Sequence, residues 1–533
     1  MVSKINDNNP DYYFFSNGIY EVRGAAGAGK TFQLVQDIKK LNFLQKKITV
    51  ISFSNAAIDE LYSRTDNTHI MMSTVHSFAW NILSSIAIKI LNLLYSFDNF
   101  EIQSLSGISI DQVKSVEYGE LGVASFNQEN SILWLSHDEV LKIFTYALKQ
   151  IPDFSKLITN SFDYILIDEF QDTDSEFLEA LFEHVSPESV LGLYGDPFQS
   201  IYLESRKDNL NSILESFKAK KFYLKFNYRS DKDLVDFFNI SRSSYDNLQQ
   251  IAKVTDYDIN KTRPTVFISK STLSNDKVSL INQKMQFEKS VVLSNTNGLK
   301  TKATEFGDIA KMLKNGILSS RELDWKEVLN QDALNFRIKA LWNYSNLFFG
   351  SDYDSVVSLQ NIFTLESLVS VSMKDIARIL SNQKKTHCIQ YAELINLGLH
   401  LNDEYKLKDE VELLLSKINY EQLFDINRFY SNLKKINNGS STIYSSKGLE
   451  FDNVILNIDY GYFGNRNWNI LNFYHSESDK FNKDSDLMSY LFYVGITRAK
   501  HGLAIYVNTS RHPNFLSAFK HKFSSININY ENL

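Results

Sequence analysis

The chain has 533 residues, a formal net charge of −7 and 43% hydrophobic residues. That length suits about three or four domains at roughly 150 residues each, and 22% charged residues is ordinary for a globular protein with sizeable cores. A single cysteine, Cys388, excludes an intrachain disulfide, a cysteine-ligated iron–sulfur cluster and a zinc ribbon. No run of about 18 apolar residues marks a membrane span, and the N-terminal MVSKINDNNPDYYFF lacks the apolar centre of a signal peptide. A cytoplasmic protein that does not engage a membrane is expected. The negative charge weighs mildly against a polyanionic partner, but a local basic groove is enough to bind one, so net charge decides little.

In chain order, the first informative element is a strand at Gly18–Arg23, rich in Ile, Tyr and Val. GAAGAGKT follows: Gly24, Ala25, Ala26, Gly27, Ala28, Gly29, Lys30 and Thr31 fit G-x-x-x-x-G-K-[ST]. Leu34, Val35, Ile38 and Leu41 then fall at helical spacing within Thr31–Leu41. Small residues let backbone N–H groups approach phosphate oxygens, and a helix N-terminus adds partial positive charge. Lys30 can reach the β and γ phosphates, and the Thr31 hydroxyl can ligate Mg²⁺.

Ile48–Phe53 reads as the next strand. FDYILIDEFQDTD (Phe162–Asp174) holds another: Tyr164–Ile167 is a near-continuous apolar run, suited to a strand buried on both faces. It ends in Asp168 and Glu169, where ligands bind in open α/β sheets. Asp168 can hold Mg²⁺ from a second side, and Glu169 is placed to orient or deprotonate an attacking water. Val190–Tyr194 completes the first block of strands, and Val291–Ser294, Val454–Ile458 and Leu503–Val507 form a second. Stretches 81–159 and 301–439 are rich in Leu, Ile and Lys at helical spacing and poor in β-branched runs, so they read as helical insertions. Asn437–Ser441 (NNGSS) is a flexible junction.

Further blocks follow in order: SFSNAAIDEL (Ser52–Leu61), TVHSF (Thr74–Phe78), DEFQDTD, LYGDPFQSIY (Leu193–Tyr202), FNYRS (Phe226–Ser230), VVLSNTN (Val291–Asn297), TIYSSKGLEFDNVI (Thr442–Ile455) and YVGITRA (Tyr493–Ala499). With the phosphate loop they resemble, across nearly the whole chain, the superfamily 1A helicases of the UvrD/Rep/PcrA-like group. The resemblance implies an α/β fold of two RecA-like parallel-sheet lobes, each with a helical insertion. Residues 1–80 and 160–225 would form lobe 1A and 81–159 its insertion 1B; residues 226–300 and 440–533 would form lobe 2A and 301–439 its insertion 2B.

The same resemblance implies ATP and Mg²⁺ as ligands and single-stranded or tailed DNA as partner. Glu169, Gln199, Arg229 and Arg498 would be catalytic, with Gln199 sensing the γ-phosphate. The two arginines would meet that phosphate, a contribution of roughly 10³ to 10⁵ in rate. Tyr228 would stack on adenine and Glu450 would approach the ribose. Phe53 and Tyr202 would stack on bases, at about 1–3 kcal/mol per base. Asn55, His76 and Ser445 would contact the nucleic-acid backbone, with a half-buried structural histidine as the other reading of His76. The implied activity is ATP-driven translocation or unwinding with 3′→5′ polarity.

Two departures qualify the resemblance. No Gln precedes Gln33, and Phe32 stands where the family often has arginine, so adenine selectivity is open. Glu204 stands where a stacking tryptophan is common, which leaves room for a second reading: an ATP-gated DNA-end sensor or loader that controls a nuclease. The short form, with no room for a fused nuclease, is similar to helicase subunits of Gabija-type anti-phage systems, and implies a separate nuclease subunit as partner. RNA is not excluded, and the pathway, whether repair, replication or phage defence, stays open.

Overall fold

The computed structural model describes residues 3–4, 11–65, 70–97, 102, 105, 108–118, 125–127, 130–201, 210–243, 245–246, 248–253, 263–295, 309, 313, 336–350, 352–382, 387–401, 415–433, 439–459 and 483–533. The chain forms two compact units: Met1–Tyr257 with Asn472–Thr497, and Asp258–Leu471 with Arg498–Leu533.

Among its described residues the main sheet of the first unit has seven strands: β1 (Ser3–Lys4), β2 (Gly18–Gly24), β3 (Ile48–Ser52), β4 (Met71–Thr74), β5 (Tyr164–Asp168), β6 (Val190–Gly195) and β7 (Lys220–Leu224). They lie in the order β1-β7-β2-β6-β5-β3-β4, and every pairing is parallel. A parallel sheet buries both faces, and successive side chains serve opposite ones. In β5, Tyr164 and Leu166 join one apolar cluster with Tyr20, Leu34, Ile38 and Tyr194. Ile165 and Ile167 join another with Phe78, Phe144, Leu191 and Leu193. The continuous apolar run of the sequence is thus a strand with a core on each side.

Helices Val75–Leu83, Ala87–Leu94, His137–Gln150 and Pro152–Ser161 cover the second of these faces. The region 81–159 is not wholly helical, although its composition suggests a helical insertion. Ser115–Tyr118, Ile132–Leu135 and Ser125–Asn127 form a small sheet, mixed in direction. The runs SVEY and ILWL are too short for a helix but suit a half-buried strand. The segment 226–257, read from the sequence as the start of the second lobe, clusters with the first unit.

Among its described residues the second unit carries six strands: β8 (Thr265–Ser269), β9 (Val291–Ser294), β10 (Ser440–Thr442), β11 (Phe451–Ile458), β12 (Ala499–Asn508) and β13 (Asn529–Asn532). Their order is β10-β9-β11-β12-β8-β13, again parallel throughout. A separate helical core collects Leu341, Tyr344, Leu394, Phe429 and Tyr430. It is drawn from helices that include Phe336–Phe349, His387–Asn396 and Tyr420–Ser431. The chain is therefore an α/β protein of two parallel-sheet units. Among the described residues no single helix is long and apolar enough to cross a membrane.

Candidate functional site

Strand β2 delivers the chain to Gly24, and helix α1 (Lys30–Phe43) takes it up again. Gly27 and Gly29 between them stand at φ +77° and +79°, a region that glycine alone enters freely. Space is a second reason at Gly27: a Cβ there would lie 2.8 Å from Asn227 Oδ1 and 2.9 Å from Arg229 Cβ. Gly29 caps α1 without a side chain, so the first amides of the helix are left for an anion. Ala25, Ala26 and Ala28 are buried, Thr31 is half-buried in the first turn, and buried Lys30 donates from Nζ to the Gly24 carbonyl at 3.0 Å.

The NYRS block sits on this loop. Asn227, fully buried, donates from Nδ2 to the Ala26 carbonyl and to Gln250 Oε1, both at 3.0 Å. Its Oδ1 accepts from the Arg229 and Ser230 amides, both at 2.9 Å. Gln250 Nε2 also donates to Ala26 O, and the Tyr228 amide donates to Gly27 O at 2.9 Å. These bonds explain why 226–257 belongs with the first unit. They also place Arg229 beside the loop, its Nη1 donating to the Thr497 carbonyl at 3.1 Å. The Tyr228 ring is 62% exposed.

Strand β5 ends at buried Asp168, and the next residue, Glu169, turns the chain at φ +49°. Such a conformation in a residue with a side chain costs of order 1–3 kcal/mol and concentrates at functional sites. The Glu169 amide donates to Asp168 Oδ1 at 3.1 Å. Burial and the Glu169 charge push the Asp168 carboxyl up to about 7, against the pull of Lys30. A repelling carboxylate pair beside an ammonium, next to a cradle of small residues with two left-handed glycines, fits a magnesium-bound triphosphate. Thr31 and Asp168 would hold the metal.

Gln199 is buried, and its Nε2 donates to Asp196 Oδ2 at 2.7 Å. The Asp196 amide donates to Gln171 Oε1 at 3.1 Å, and Gln171 Nε2 donates to Glu169 Oε2. Asp196 also receives both terminal nitrogens of Arg242 at 3.1 Å. Burial raises the Asp196 carboxyl, but Arg242 chiefly, with Lys30, outweighs it and holds the group below the usual carboxylate range.

Sequence reasoning missed Asp196 and Arg242. It also missed Asp37, on the buried stripe of α1, which accepts from Tyr12 OH at 2.8 Å, Tyr194 OH at 2.5 Å, Gln33 Nε2 at 2.8 Å and Tyr13 OH. Burial nevertheless keeps the Asp37 carboxyl above its ordinary value, the four hydrogen bonds acting the other way. The available signal was a charge on an apolar stripe: Asp37 among Leu34, Ile38 and Leu41, and Arg242 after Val235 and Phe238.

Of the expected nucleic-acid contacts, Phe53 lies just past β3 and is 46% exposed, and Asn55, exposed, opens helix Asn55–Thr65. His76 is half-buried, its ring 4.8 Å from that of His137. Burial, then the His137 charge, lower its pKa against Asp138 and Asp174. Tyr202 lies outside the described residues, as does Glu204. Ser445, Glu450 and Arg498 belong to the second unit and gather about one loop. There Arg498, 2% exposed, donates from Nη1 to Leu449 O at 3.2 Å, and its carbonyl accepts from the Phe451 amide. Ser445 and Glu450 are exposed on that loop, and Ser445 Oγ accepts from Thr442 Oγ1 at 2.8 Å.

Two family models match the chain. An AAA domain matches residues 14–205 and a UvrD-like helicase C-terminal domain matches residues 360–510. Gabija protein GajB of Bacillus cereus (strain HuB5-5) is 27% identical over 173 residues, 31% of this chain and 24% of that protein. DNA helicase II of Haemophilus influenzae is 22% identical over 293 residues, 45% of this chain and 40% of its own. ATP-dependent DNA helicase Rep of Buchnera aphidicola subsp. Baizongia pistaciae is 26% identical over 276 residues, 42% and 41% of the two chains. Each match spans less than half the length of the relative.

Proposed function

We propose that this chain, which belongs to the UvrD/Rep-like superfamily 1 helicases, hydrolyses ATP to move along single-stranded DNA and open duplex, with 3′→5′ polarity. The observation that carries the proposal is the meeting of the Lys30 loop with buried Asp168 and half-buried Glu169 at the carboxyl ends of parallel strands. In this reading Lys30 and the α1 amides hold the triphosphate, and Tyr228 supplies a ring for the base. Glu169 takes the proton of the attacking water, and Gln199 and Arg229 face the transferred phosphoryl group. Bound magnesium, held by Thr31 and Asp168, would neutralise charge on the phosphate oxygens. Arg498, Glu450 and Ser445 act from the loop of the second unit, and Phe53, Asn55 and His76 grip the strand. Opening duplex must offset about 1.4 kcal/mol of stacking per base-pair step. Cytoplasmic residence is part of the same reading.

The test is ATP turnover with and without single-stranded DNA, duplex DNA and single-stranded RNA, with Lys30→Ala as control. Turnover stimulated by single-stranded DNA, abolished in the control and accompanied by displacement from a 3′-tailed duplex is expected. No nucleotide-dependent activity with any nucleic acid would overturn the proposal. The likeness to Gabija protein GajB favours a second reading, an ATP-gated DNA-end sensor acting with a separate nuclease. Turnover without strand displacement would select it.

A further inference from the structure

Arg242 is 1% exposed, at the end of helix Lys232–Arg242. A lone guanidinium in that position would be very costly, and all three of its nitrogens are engaged. Nη1 donates to Asp196 Oδ2 at 3.1 Å and to Tyr493 OH at 2.8 Å. Nη2 donates to Asp196 Oδ1 at 3.1 Å and to Asp246 Oδ2 at 2.7 Å, and Nε donates to Asp246 Oδ1 at 2.9 Å. The rings of Phe198 and Tyr493 lie 5.5 and 5.2 Å from Cζ. The orientation of the guanidinium is fixed from every side.

Asp196 is fixed with it, and Asp196 shapes the turn that carries Gln199. Its Oδ1 accepts from the Phe198 amide at 3.2 Å and its Oδ2 from Gln199 Nε2 at 2.7 Å. On the other side, the Tyr493 carbonyl accepts from Thr497 Oγ1 at 2.8 Å, and the Thr497 carbonyl accepts from Arg229 Nη1 at 3.1 Å. A continuous path thus runs Gln199–Asp196–Arg242–Tyr493–Thr497–Arg229, wholly within the first unit. Its two ends are the groups assigned above to one phosphoryl group.

We infer that Arg242 is a positioning residue for hydrolysis: it seats the Gln199 amide through Asp196 and ties that seat, through Tyr493 and Thr497, to the side chain of Arg229. The inference rests on the proposed ATPase reading. A buried ion pair that served stability alone would leave no such coupling, and buried pairs are in general weak contributors to stability.

The test is a double-mutant cycle on turnover, with binding of a fluorescent ATP analogue measured alongside. Arg242→Met is expected to lower kcat about tenfold at little-changed analogue affinity, and in a Gln199→Ala background to cost less than about twofold more. Arg242→Lys keeps the charge but not the fork, and is expected to behave like the Met variant. Equal losses in both backgrounds, or unchanged kcat, would overturn the inference. Thermal denaturation checks folding. Should Arg242→Met not fold, Tyr493→Phe, which removes one hydroxyl, is run against Arg229→Ala under the same criterion. A wild-type chain without ATP turnover defeats the proposed function; turnover with additive losses defeats only this inference.

Discussion

Asn227→Ala is the sharpest probe of how the phosphate loop is held. The side chain is fully buried and makes four hydrogen bonds: two donated, to Ala26 O and Gln250 Oε1, and two accepted, from the Arg229 and Ser230 amides. Alanine strands the two amides, each at about 1–3 kcal/mol. Ala26 O is not orphaned, because Gln250 Nε2 also reaches it at 3.1 Å. The loss to the first unit is therefore about 3 kcal/mol, which lowers its thermal midpoint by roughly 5–10 °C. The loop also loses one neutral hydrogen bond that holds its shape, about 1 kcal/mol, or a roughly fivefold weaker nucleotide affinity. Differential scanning calorimetry and titration with a fluorescent ATP analogue read the two effects. A variant that melts at the wild-type temperature and binds the analogue with wild-type affinity would refute the reasoning, because the seating of NYRS on the loop would then carry no energy.

Glu169→Gln is expected to lower kcat by about 10²–10⁴ while nucleotide still binds, the mark of a lost proton acceptor; unchanged turnover would remove Glu169 from that role. Phe53→Ala is expected to weaken single-stranded DNA binding by about 1–3 kcal/mol, read by fluorescence anisotropy at fixed salt; unchanged affinity would reassign the exposed ring. Burial holds His512 below its ordinary 6.5, against the nearby Asp459. As pH falls past that value the unfolded chain takes up a proton that the folded chain refuses, so stability present above it is lost on acidification. From about pH 7 to about pH 5 the thermal midpoint of the wild type is expected to drop relative to that of His512→Gln, which lacks this proton uptake; an identical pH dependence in the two would contradict this.

What was legible in the sequence is what local rules dictate. Gly27 and Gly29 of GAAGAGKT are demanded by backbone angles within a few residues, and YILID is buried on both faces by its own composition. What was not legible depends on partners far along the chain. Asn227 matters because it meets Ala26, 201 positions away, and no window of sequence shows that. The same contact draws 226–257 to the first unit, whereas motif order suggested the second. Arg242 and Asp37 are charges on apolar stripes, a pattern that announces a buried partner without naming it. The small sheet at 115–135 escaped notice because its strands span only three or four residues each.

The first unit is completed by a segment that the ribosome makes late. Arg242 and Tyr493 are 251 positions apart, so at about 5–20 residues per second some 10–50 s separate their synthesis. Through that interval a nascent first unit folded as in the complete chain would hold the guanidinium with Asp196 and Asp246 but without its phenolic neighbour. Newly made protein would thus acquire its phosphate loop well before the Gln199-to-Arg229 path closes, and polypeptides stalled short of residue 483 should bind nucleotide without turning it over.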